Sequence, residues 1–266
     1  GRNANRIKDA AIVVGSKTYC LNANDGNNSL HSGPNGYERR MWNVVRHDDS
    51  SICFVLHSPH LDQGFPGNAD IQVTYQLTGD SLVISYEAVS DQDTVFNMTN
   101  HSYFNLAGHD HPEKAMEQVL TLPSRFFTPA DAFLITTGET RDVAGTPMDF
   151  RVPKPIGRDI NEDYDALRLS AGYDHNYEVY TAPCAILQDP QSGRTMSVSP
   201  DCPGVQLYSG NFLMGEVGKD GVSYCRRSGV CLETQFYPDC LHHSDWPQPI
   251  VKAGERYHSE TVYRFV

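Results

Sequence analysis

Apolar and polar side chains alternate with a period of two along most of this 266-residue chain. The clearest example is residues 71–77, which are followed by the turn sequence Thr78-Gly79-Asp80-Ser81 and a second alternating run at 82–86. Two such runs joined by a turn predict a β-hairpin with one buried and one solvated face. Comparable patterns predict a second hairpin over 184–187 and 195–198, and strands at 11–14, 18–21, 52–57, 94–98, 119–123, 177–180, 205–208, 230–234 and 261–265.

Helical patterns are few. Residues 159–167 favour one short helix, and residues 131–134 favour a turn. The 21 glycines and 16 prolines are spread evenly, so no linker divides the chain. Strands spaced about 8–12 residues apart are typical of a sandwich or a barrel. We therefore expect an all-β protein with very little helix, built as a single domain over residues 1–266.

The net charge of −12 argues against some classes of binding partner. Phosphate recognition needs clustered lysine and arginine, so nucleic acid and an anionic membrane are disfavoured, whereas a neutral sugar is compatible. No apolar run approaches the roughly 20 residues that cross a bilayer. The chain has seven cysteines and no Cys-x-x-Cys motif, which indicates free thiols rather than a framework of disulfides. We expect a cytoplasmic protein.

Three segments contain more polar side chains than the packing of a strand requires. The first begins at Asn100 and carries two asparagines, one serine and His101 within six residues. Most histidines in a protein of this size are hydrogen-bonded surface residues, and His101 taken alone favours that interpretation. The alternative is a proton donor near neutral pH that the neighbouring amides hold in place.

The second segment, residues 229–235, places Glu233 in the middle of an apolar strand. Such a carboxylate either faces solvent, which is the commoner case, or is buried with partners. A glutamate on the floor of a pocket would have its pKa raised by desolvation, as a general base requires.

The third segment, residues 172–176, indicates a turn that enters a strand, because aspartate and asparagine favour turns. The alternative interpretation is a binding site for a polyol, in which the Asp174 carboxylate accepts hydrogen bonds and the nearby Asn176 amide both donates and accepts them. Two further polar clusters contain Asn5-Arg6 and, in a loop rich in Gly, Pro and Asn, His31.

No motif for a metal or an organic cofactor accompanies these segments. The histidines lack the spacing of zinc ligands, and the tract at residues 109–111 favours an exposed loop. We therefore expect neither a metal nor a cofactor.

Together and in this order, the segments resemble the aldose 1-epimerase (galactose mutarotase) family over essentially the whole chain. The resemblance rests on Gly1-Arg2-x-Ala4-Asn5-Arg6-Ile7, Asn24-x-Gly26-x-Asn28-x-Leu30-His31, Thr99-Asn100-His101-Ser102-Tyr103-Phe104-Asn105-Leu106, Gly172-Tyr173-Asp174-His175-Asn176, Gln206-x-Tyr208-x-Gly210-Asn211, Leu232-Glu233-Thr234-Gln235, Pro238-Asp239 and Thr261-Val262-Tyr263-Arg264-Phe265. The family has several strands ahead of its first motif, and we expect this chain to lack them. It often has His-Gly-Gly where this chain has His31-Ser32-Gly33.

The resemblance implies a large antiparallel β-sandwich, the galactose mutarotase-like supersandwich, with a sugar cleft on one face. It implies an enzyme that interconverts the α and β anomers of free hexoses such as galactose or glucose. We expect the protein to be a monomer or a weak dimer. The family's general base matches Glu233 and its general acid matches His101. Its sugar-binding residues match Asn5, Arg6, His31, Asp174 and Gln206.

Three other functions stay open. A hexose-6-phosphate 1-epimerase of the same fold would need a basic clamp, for which Arg39-Arg40 and Arg226-Arg227 are available. A non-catalytic sugar-binding or sensing protein would keep the cleft and bind without turnover. A glycoside hydrolase would need a second carboxylate at a set distance from Glu233, a role that only Asp174 nominally fills.

Overall fold

A computed structural model describes residues 1–266 and divides the chain into two compact units. Unit 1 comprises Gly1–Thr99 and Gln235–Val262, and unit 2 comprises Asn100–Thr234 and Tyr263–Val266. The single domain over residues 1–266 stays a prediction.

Unit 1 consists of strands and three short 3-10 turns. The 3-10 turns are Lys8–Ala10, Tyr37–Arg39 and Cys240–His242. The strands are β1 (Arg6–Ile7), β2 (Ala11–Val14), β3 (Lys17–Cys20), β4 (Ser29–Leu30), β5 (Asn43–His47), β6 (Ser51–Ser58), β7 (Ala69–Thr78), β8 (Ser81–Ser90), β9 (Thr94–Val95), β21 (Ile250–Val251) and β22 (Arg256–Phe265), whose last residues belong to unit 2.

The main sheet of unit 1 has the strand order β22-β8-β7-β6-β5. The predicted hairpin is confirmed, since β7 and β8 pair antiparallel around the turn from Thr78 to Ser81. Ile71 and Val73 are buried on β7, and the neighbouring Asp70, Gln72 and Thr74 are more exposed, as the alternation requires. Strand β5 was not predicted. All five of its residues are exposed, so it carries no apolar periodicity that could reveal a strand.

A small apolar core supports the segment that carries Asn5 and Arg6. Its members are Ile7, Ala10, Ile12, Val14, Leu21, Phe65 and Val95. Strand β1 pairs with β4 in the register Arg6↔Leu30, so His31, the residue after β4, lies beside Asn5. Burial of Ile7 in this core therefore fixes the position of the polar residues next to it.

Unit 2 contains the only α-helix, α1 (Asp165–Leu169), and two 3-10 turns, Pro112–Glu117 and Lys219–Gly221. Its strands are β10 (Val119–Thr121), β11 (Phe126–Thr128), β12 (Arg141–Asp142), β13 (Lys154–Pro155), β14 (Asp174–Glu178), β15 (Ala185–Gln188), β16 (Thr195–Pro200), β17 (Gly204–Tyr208), β18 (Glu216–Val217), β19 (Ser223–Tyr224) and β20 (Cys231–Gln235). The all-β prediction with very little helix is confirmed. No helix is long and apolar enough to cross a membrane.

Two larger groups of strands build most of unit 2, and β18 and β19 pair separately as a two-stranded sheet. One has the order β13-β10-β15-β16, in which β15 and β16 form the second predicted hairpin. The other is a five-stranded sheet with the order β12-β11-β14-β17-β20. Every residue of β17 and of β20 is buried, so both faces of these two strands are covered.

Two local predictions were wrong. The helix predicted over 159–167 begins only at Asp165, because the Asp159 carboxylate instead binds the side chains of Lys154 and Arg158 in a preceding turn. The turn predicted over 172–176 becomes strand from Asp174 onward, because that segment pairs along its length with β17. Long-range strand pairing overrides the local turn preference of aspartate and asparagine there.

Candidate active site

Neighbouring strands of unit 2 bring Asp174 and Gln206 together. Strand β14 pairs antiparallel with β17, placing Asn176 opposite Gln206 and Asp174 two residues further along. The Gln206 Nε2 atom donates a hydrogen bond of 2.7 Å to Oδ1 of Asp174. Gln206 is buried and Asp174 half-buried, so the pair presents one carboxylate toward solvent from a rigid sheet.

Strand β20 lies next to β17 and carries Glu233, which is 2 % exposed. The solvent-facing orientation that Glu233 alone favours is therefore wrong, because both faces of β20 are covered. The surroundings are poorly solvated: burial, with the charge of Glu233 as a smaller cause, raises the pKa of the Cys231 thiol well above its ordinary value. A carboxylate in such surroundings interacts strongly with any proton donor placed beside it.

His101 reaches Glu233 through a short antiparallel bridge. Phe104 and Val230 exchange backbone hydrogen bonds of 2.8 and 2.9 Å. The two segments run antiparallel, so the residue three positions before Phe104 faces the residue three positions after Val230 when the register is continued. These two residues are His101 and Glu233. The His101 Nε2 atom lies 3.6 Å from Oε1 of Glu233.

Two tyrosines fix the plane of the His101 imidazole. The Tyr103 ring stacks on it at a centroid distance of 5.3 Å and an angle of 19°. The Tyr208 ring meets it edge-on at 6.0 Å and 90°. Burial raises the pKa of Tyr208 to about 12, so its hydroxyl stays protonated at neutral pH. Sequence reasoning assigned no role to these tyrosines, although both lie inside the quoted family motifs.

The surroundings also set the acidity of His101. Burial lowers the pKa of His101 below its ordinary value of 6.5, although 36 % of the side chain is exposed. A backbone hydrogen bond and the negative charge of Asp174 act in the opposite direction. The imidazolium is thus a stronger acid than a free histidine, and Asp174 moderates the effect.

In unit 1, the structure brings together Asn5, Arg6 and His31. The backbone N–H of Asn5 donates to Nδ1 of His31 over 3.1 Å, and the backbone N–H of His31 donates to the Asn5 carbonyl over 3.0 Å. Because Nδ1 accepts this bond, a neutral His31 carries its proton on Nε2 and acts there as a donor. Asn5 and His31 have φ values of 61° and 48°, so this tight arrangement is held against some backbone strain.

Two aspartates that sequence reasoning missed hold Arg6 in place, Asp25 through its carboxylate and Asp239 through its backbone N–H. The Arg6 Nε atom lies 2.8 Å from Oδ2 of Asp25, and 12 % of the arginine side chain is exposed. The backbone N–H of Asp239 donates to the Arg6 carbonyl over 3.0 Å. Both aspartates fall within or beside the family motifs of the sequence, which is the signal that could have identified them.

Ser32, where the family often has glycine, has a structural role. Its φ of 70° lies in the left-handed region, which costs a non-glycine residue about 1 kcal/mol. Its buried hydroxyl accepts a hydrogen bond from the Asn3 N–H over 2.7 Å and donates one to the Asn3 carbonyl over 3.0 Å. Two such bonds, worth about 1 kcal/mol each, offset the conformational cost.

A comparison with known protein families shows which family the chain belongs to. The family model described as aldose 1-epimerase matches residues 1–264. The chain belongs to the aldose 1-epimerase family.

Similarity to individual relatives supports this assignment to the aldose 1-epimerase family. The aldose 1-epimerase of Haemophilus influenzae is 39 % identical over all of this chain and 79 % of its own length. The galactose mutarotase of Bos taurus is 38 % identical over all of this chain and 77 % of its own length. A solved aldose epimerase homologue from C. elegans superposes with a TM-score of 0.91 at 31 % identity, covering all of this chain and 81 % of that one. The predicted galactose mutarotase-like β-sandwich is confirmed.

In this member of the aldose 1-epimerase family, the residues predicted to form the site fall into two groups. Unit 2 brings His101, Asp174, Gln206 and Glu233 together, and unit 1 holds the remaining three. The arrangement in unit 2 is suited to proton transfer, because an imidazole and a carboxylate lie side by side.

Proposed function

We propose that this protein is a mutarotase that interconverts the α and β anomers of free hexoses such as galactose or glucose, with Glu233 as general base and His101 as general acid. The observation that supports these roles is the 3.6 Å separation of His101 Nε2 from Glu233 Oε1. Anomer exchange moves protons at the C1 hydroxyl and at the ring oxygen, and both oxygens are bonded to the same carbon. An acid and a base that serve them must therefore be adjacent.

In this mechanism, the Glu233 carboxylate removes the proton from the C1 hydroxyl while the His101 imidazolium donates a proton to the ring oxygen. The bond between C1 and the ring oxygen breaks, and C1 becomes an aldehyde. Rotation about C1–C2 exposes the opposite face of the carbonyl, and ring closure returns each proton by the reverse path. Each of the two proton transfers contributes on the order of 10²–10⁴-fold to the rate.

The remaining site residues are proposed to bind sugar hydroxyls. Asp174 offers a carboxylate fixed by Gln206, and Arg6 offers a donor fork fixed by Asp25. Neutral His31 offers its Nε2–H. We also propose a cytoplasmic location, which is supported by the seven free cysteines. The monomeric or weakly dimeric state stays a prediction.

Polarimetry of freshly dissolved α-D-galactose and α-D-glucose tests the proposal. The protein should accelerate the approach to the equilibrium rotation in proportion to its concentration. Sugar binding without acceleration would instead assign the chain to the non-catalytic alternative.

Three of the four arginines available for a phosphate clamp bind groups of the protein itself, and Arg39 is largely exposed. Arg40 binds Asp62 through two nitrogens at 2.5 and 2.6 Å. Arg226 and Arg227 both donate to the Ala171 carbonyl, at 2.5 and 3.1 Å. Inorganic phosphate should therefore not compete with galactose, whereas a hexose-6-phosphate 1-epimerase would be inhibited by it.

Replacing Arg6 with alanine should raise KM by about 10- to 100-fold, because hydrogen bonds from a charged donor contribute about 1.5–3 kcal/mol. The value of kcat should fall much less, since Arg6 is proposed to bind the sugar in its ground and transition states alike. Initial polarimetric rates over a range of galactose concentrations measure both constants. Arg39→Ala, at an exposed position, is the matched control. An unchanged KM for Arg6→Ala contradicts the ligand role.

Asp174→Asn should move the alkaline limb of the kcat/KM profile to lower pH. The His101 proton is needed for catalysis, so activity falls as pH rises through the pKa of His101, which burial places below 6.5. Asp174 raises that pKa, and removing its charge lowers the pKa further. Asp174→Glu keeps the charge and should leave the limb near its original position. An alkaline limb at the same pH in wild type and Asp174→Asn would show that Asp174 does not influence the acid.

A further inference from the structure

Unit 2 contains a cavity of about 510 Å³ that neither His101 nor Glu233 lines. Its apolar walls are formed by Tyr103, Phe104, Leu106, Leu213, Tyr224 and Phe265. Pockets of this volume, lined by aromatic and aliphatic side chains with a few polar groups, are typical of small-molecule sites. The mechanism proposed above makes no use of this space.

Tyr103 separates the cavity from the proposed acid. One side of its ring stacks on the His101 imidazole, and the same residue lines the cavity. Gly229 packs directly beneath it, since a Cβ at residue 229 would lie 2.9 Å from the Cβ of Tyr103. A side chain at residue 229 would therefore displace Tyr103 and change this side of the cavity.

A fixed polar group stands at the rim of the cavity. The Tyr224 hydroxyl lies 3.3 Å from Nδ1 of His109, and Nε2 of His109 lies 3.3 Å from Oδ2 of Asp220. Residues 109–111 were predicted to form an exposed loop, and Asp110 and His111 are exposed, whereas His109 is half-buried and lines the cavity. The Tyr224–His109 pair can hydrogen-bond one hydroxyl group of a ligand.

The walls and charges indicate the class of ligand. The residues that line the cavity include one cation, Lys219, and one anion, Glu216, whose charges offset each other. The Asp220 carboxylate beside His109 adds negative charge near the rim, so an anionic ligand is disfavoured and the balanced lining does not call for a cation. A sugar would place some of its hydroxyls against the apolar walls, where each unsatisfied group costs roughly 1–3 kcal/mol. Flat aromatic walls favour a flat ring, because offset or edge-to-face ring pairs add to the energy of burial.

We propose that this cavity is a binding site for a neutral, planar aromatic compound that carries a single hydroxyl group, separate from the His101–Glu233 pair. The ring packs between the aromatic walls, and the hydroxyl contacts the Tyr224–His109 pair. The proposal rests on unit 2 alone and is independent of the assigned activity.

Equilibrium dialysis of the full chain against 2-naphthol tests the proposal. Wild type should bind one equivalent saturably. Ser228 lines the cavity and is half-buried, so Ser228→Trp should fill the space and weaken binding by at least about tenfold. Ser192→Trp makes the same change at an exposed position of unit 2 and should leave affinity unchanged. Both variants should retain wild-type mutarotation.

A second variant and a competition experiment keep the test decisive. Tyr224→Phe keeps the aromatic wall and removes the hydroxyl, and should weaken 2-naphthol binding by about 3- to 10-fold, the usual effect of one lost hydrogen bond. Saturating galactose should not displace 2-naphthol. Displacement by galactose, equal affinity in wild type and Ser228→Trp, or absence of saturable binding would each overturn the proposal.

Discussion

Replacing Glu233 with glutamine should lower kcat for galactose mutarotation by roughly 10²–10⁴-fold. The amide has the shape of the carboxylate but cannot take the proton from the C1 hydroxyl. Glu233 lies on a fully buried strand, and glutamine fills the same space without burying a charge, so the fold should be retained. Polarimetry measures the rate, and circular dichroism with thermal unfolding measures the fold.

The matched control for this variant is Glu113→Gln, which makes the same chemical change at an exposed turn. It should turn over galactose at the wild-type rate. Glu233→Asp withdraws the carboxylate by one methylene from His101 and should recover only part of the activity. A kcat for Glu233→Gln within a factor of two of wild type would remove Glu233 from the mechanism.

Replacing His101 with asparagine should produce a loss of similar size, roughly 10²–10⁴-fold, because the ring oxygen then leaves without a proton. The side chain packs against Tyr103 and Tyr208, and asparagine leaves some of that space unfilled, so a modest loss of stability is expected. The variant should also lose the alkaline limb of the kcat/KM profile, which a purely structural role would not affect. His111→Asn, at an exposed position, is the control.

Retention of the wild-type alkaline limb in His101→Asn would show that another group carries the proton. The double variant of Glu233→Gln and His101→Asn offers a further check. The two residues act on one bond-breaking step, so their losses should not multiply. A fully multiplicative loss would instead indicate two independent roles.

Local sequence was sufficient for the longest hairpin, whereas only residues 261–265 of β22 were predicted. The β7–β8 hairpin was predicted because its alternation and its turn lie within one short segment. The edge strand β5 was missed because no buried face marks it. The start of β14 at Asp174 was missed because its residues prefer turns, and only pairing with β17 makes them strand.

The candidate site follows a similar division. Single residues were ambiguous: His101 favoured a surface role and Glu233 a solvent-facing one. Only the family resemblance selected them from the sequence. The structure adds Asp25 as the partner of Arg6, and Tyr103 and Tyr208 around His101. The contacts of Asp25 and Tyr208 join distant parts of the sequence, and the stacking of the nearby Tyr103 on His101 depends on side-chain orientation.

By itself, the sequence determined the all-β class, the main hairpins and the identity of the residues proposed for the chemistry. Periodicity and motif order are properties of neighbouring residues and can be read without coordinates. Tertiary structure alone decided that Glu233 is buried, that the Phe104–Val230 bridge brings His101 to 3.6 Å from it, and that Asp174 acts on the acidity of His101. Burial, distance and electrostatic coupling arise from segments that meet only after folding, and these quantities set the pKa and the reach of a catalytic group.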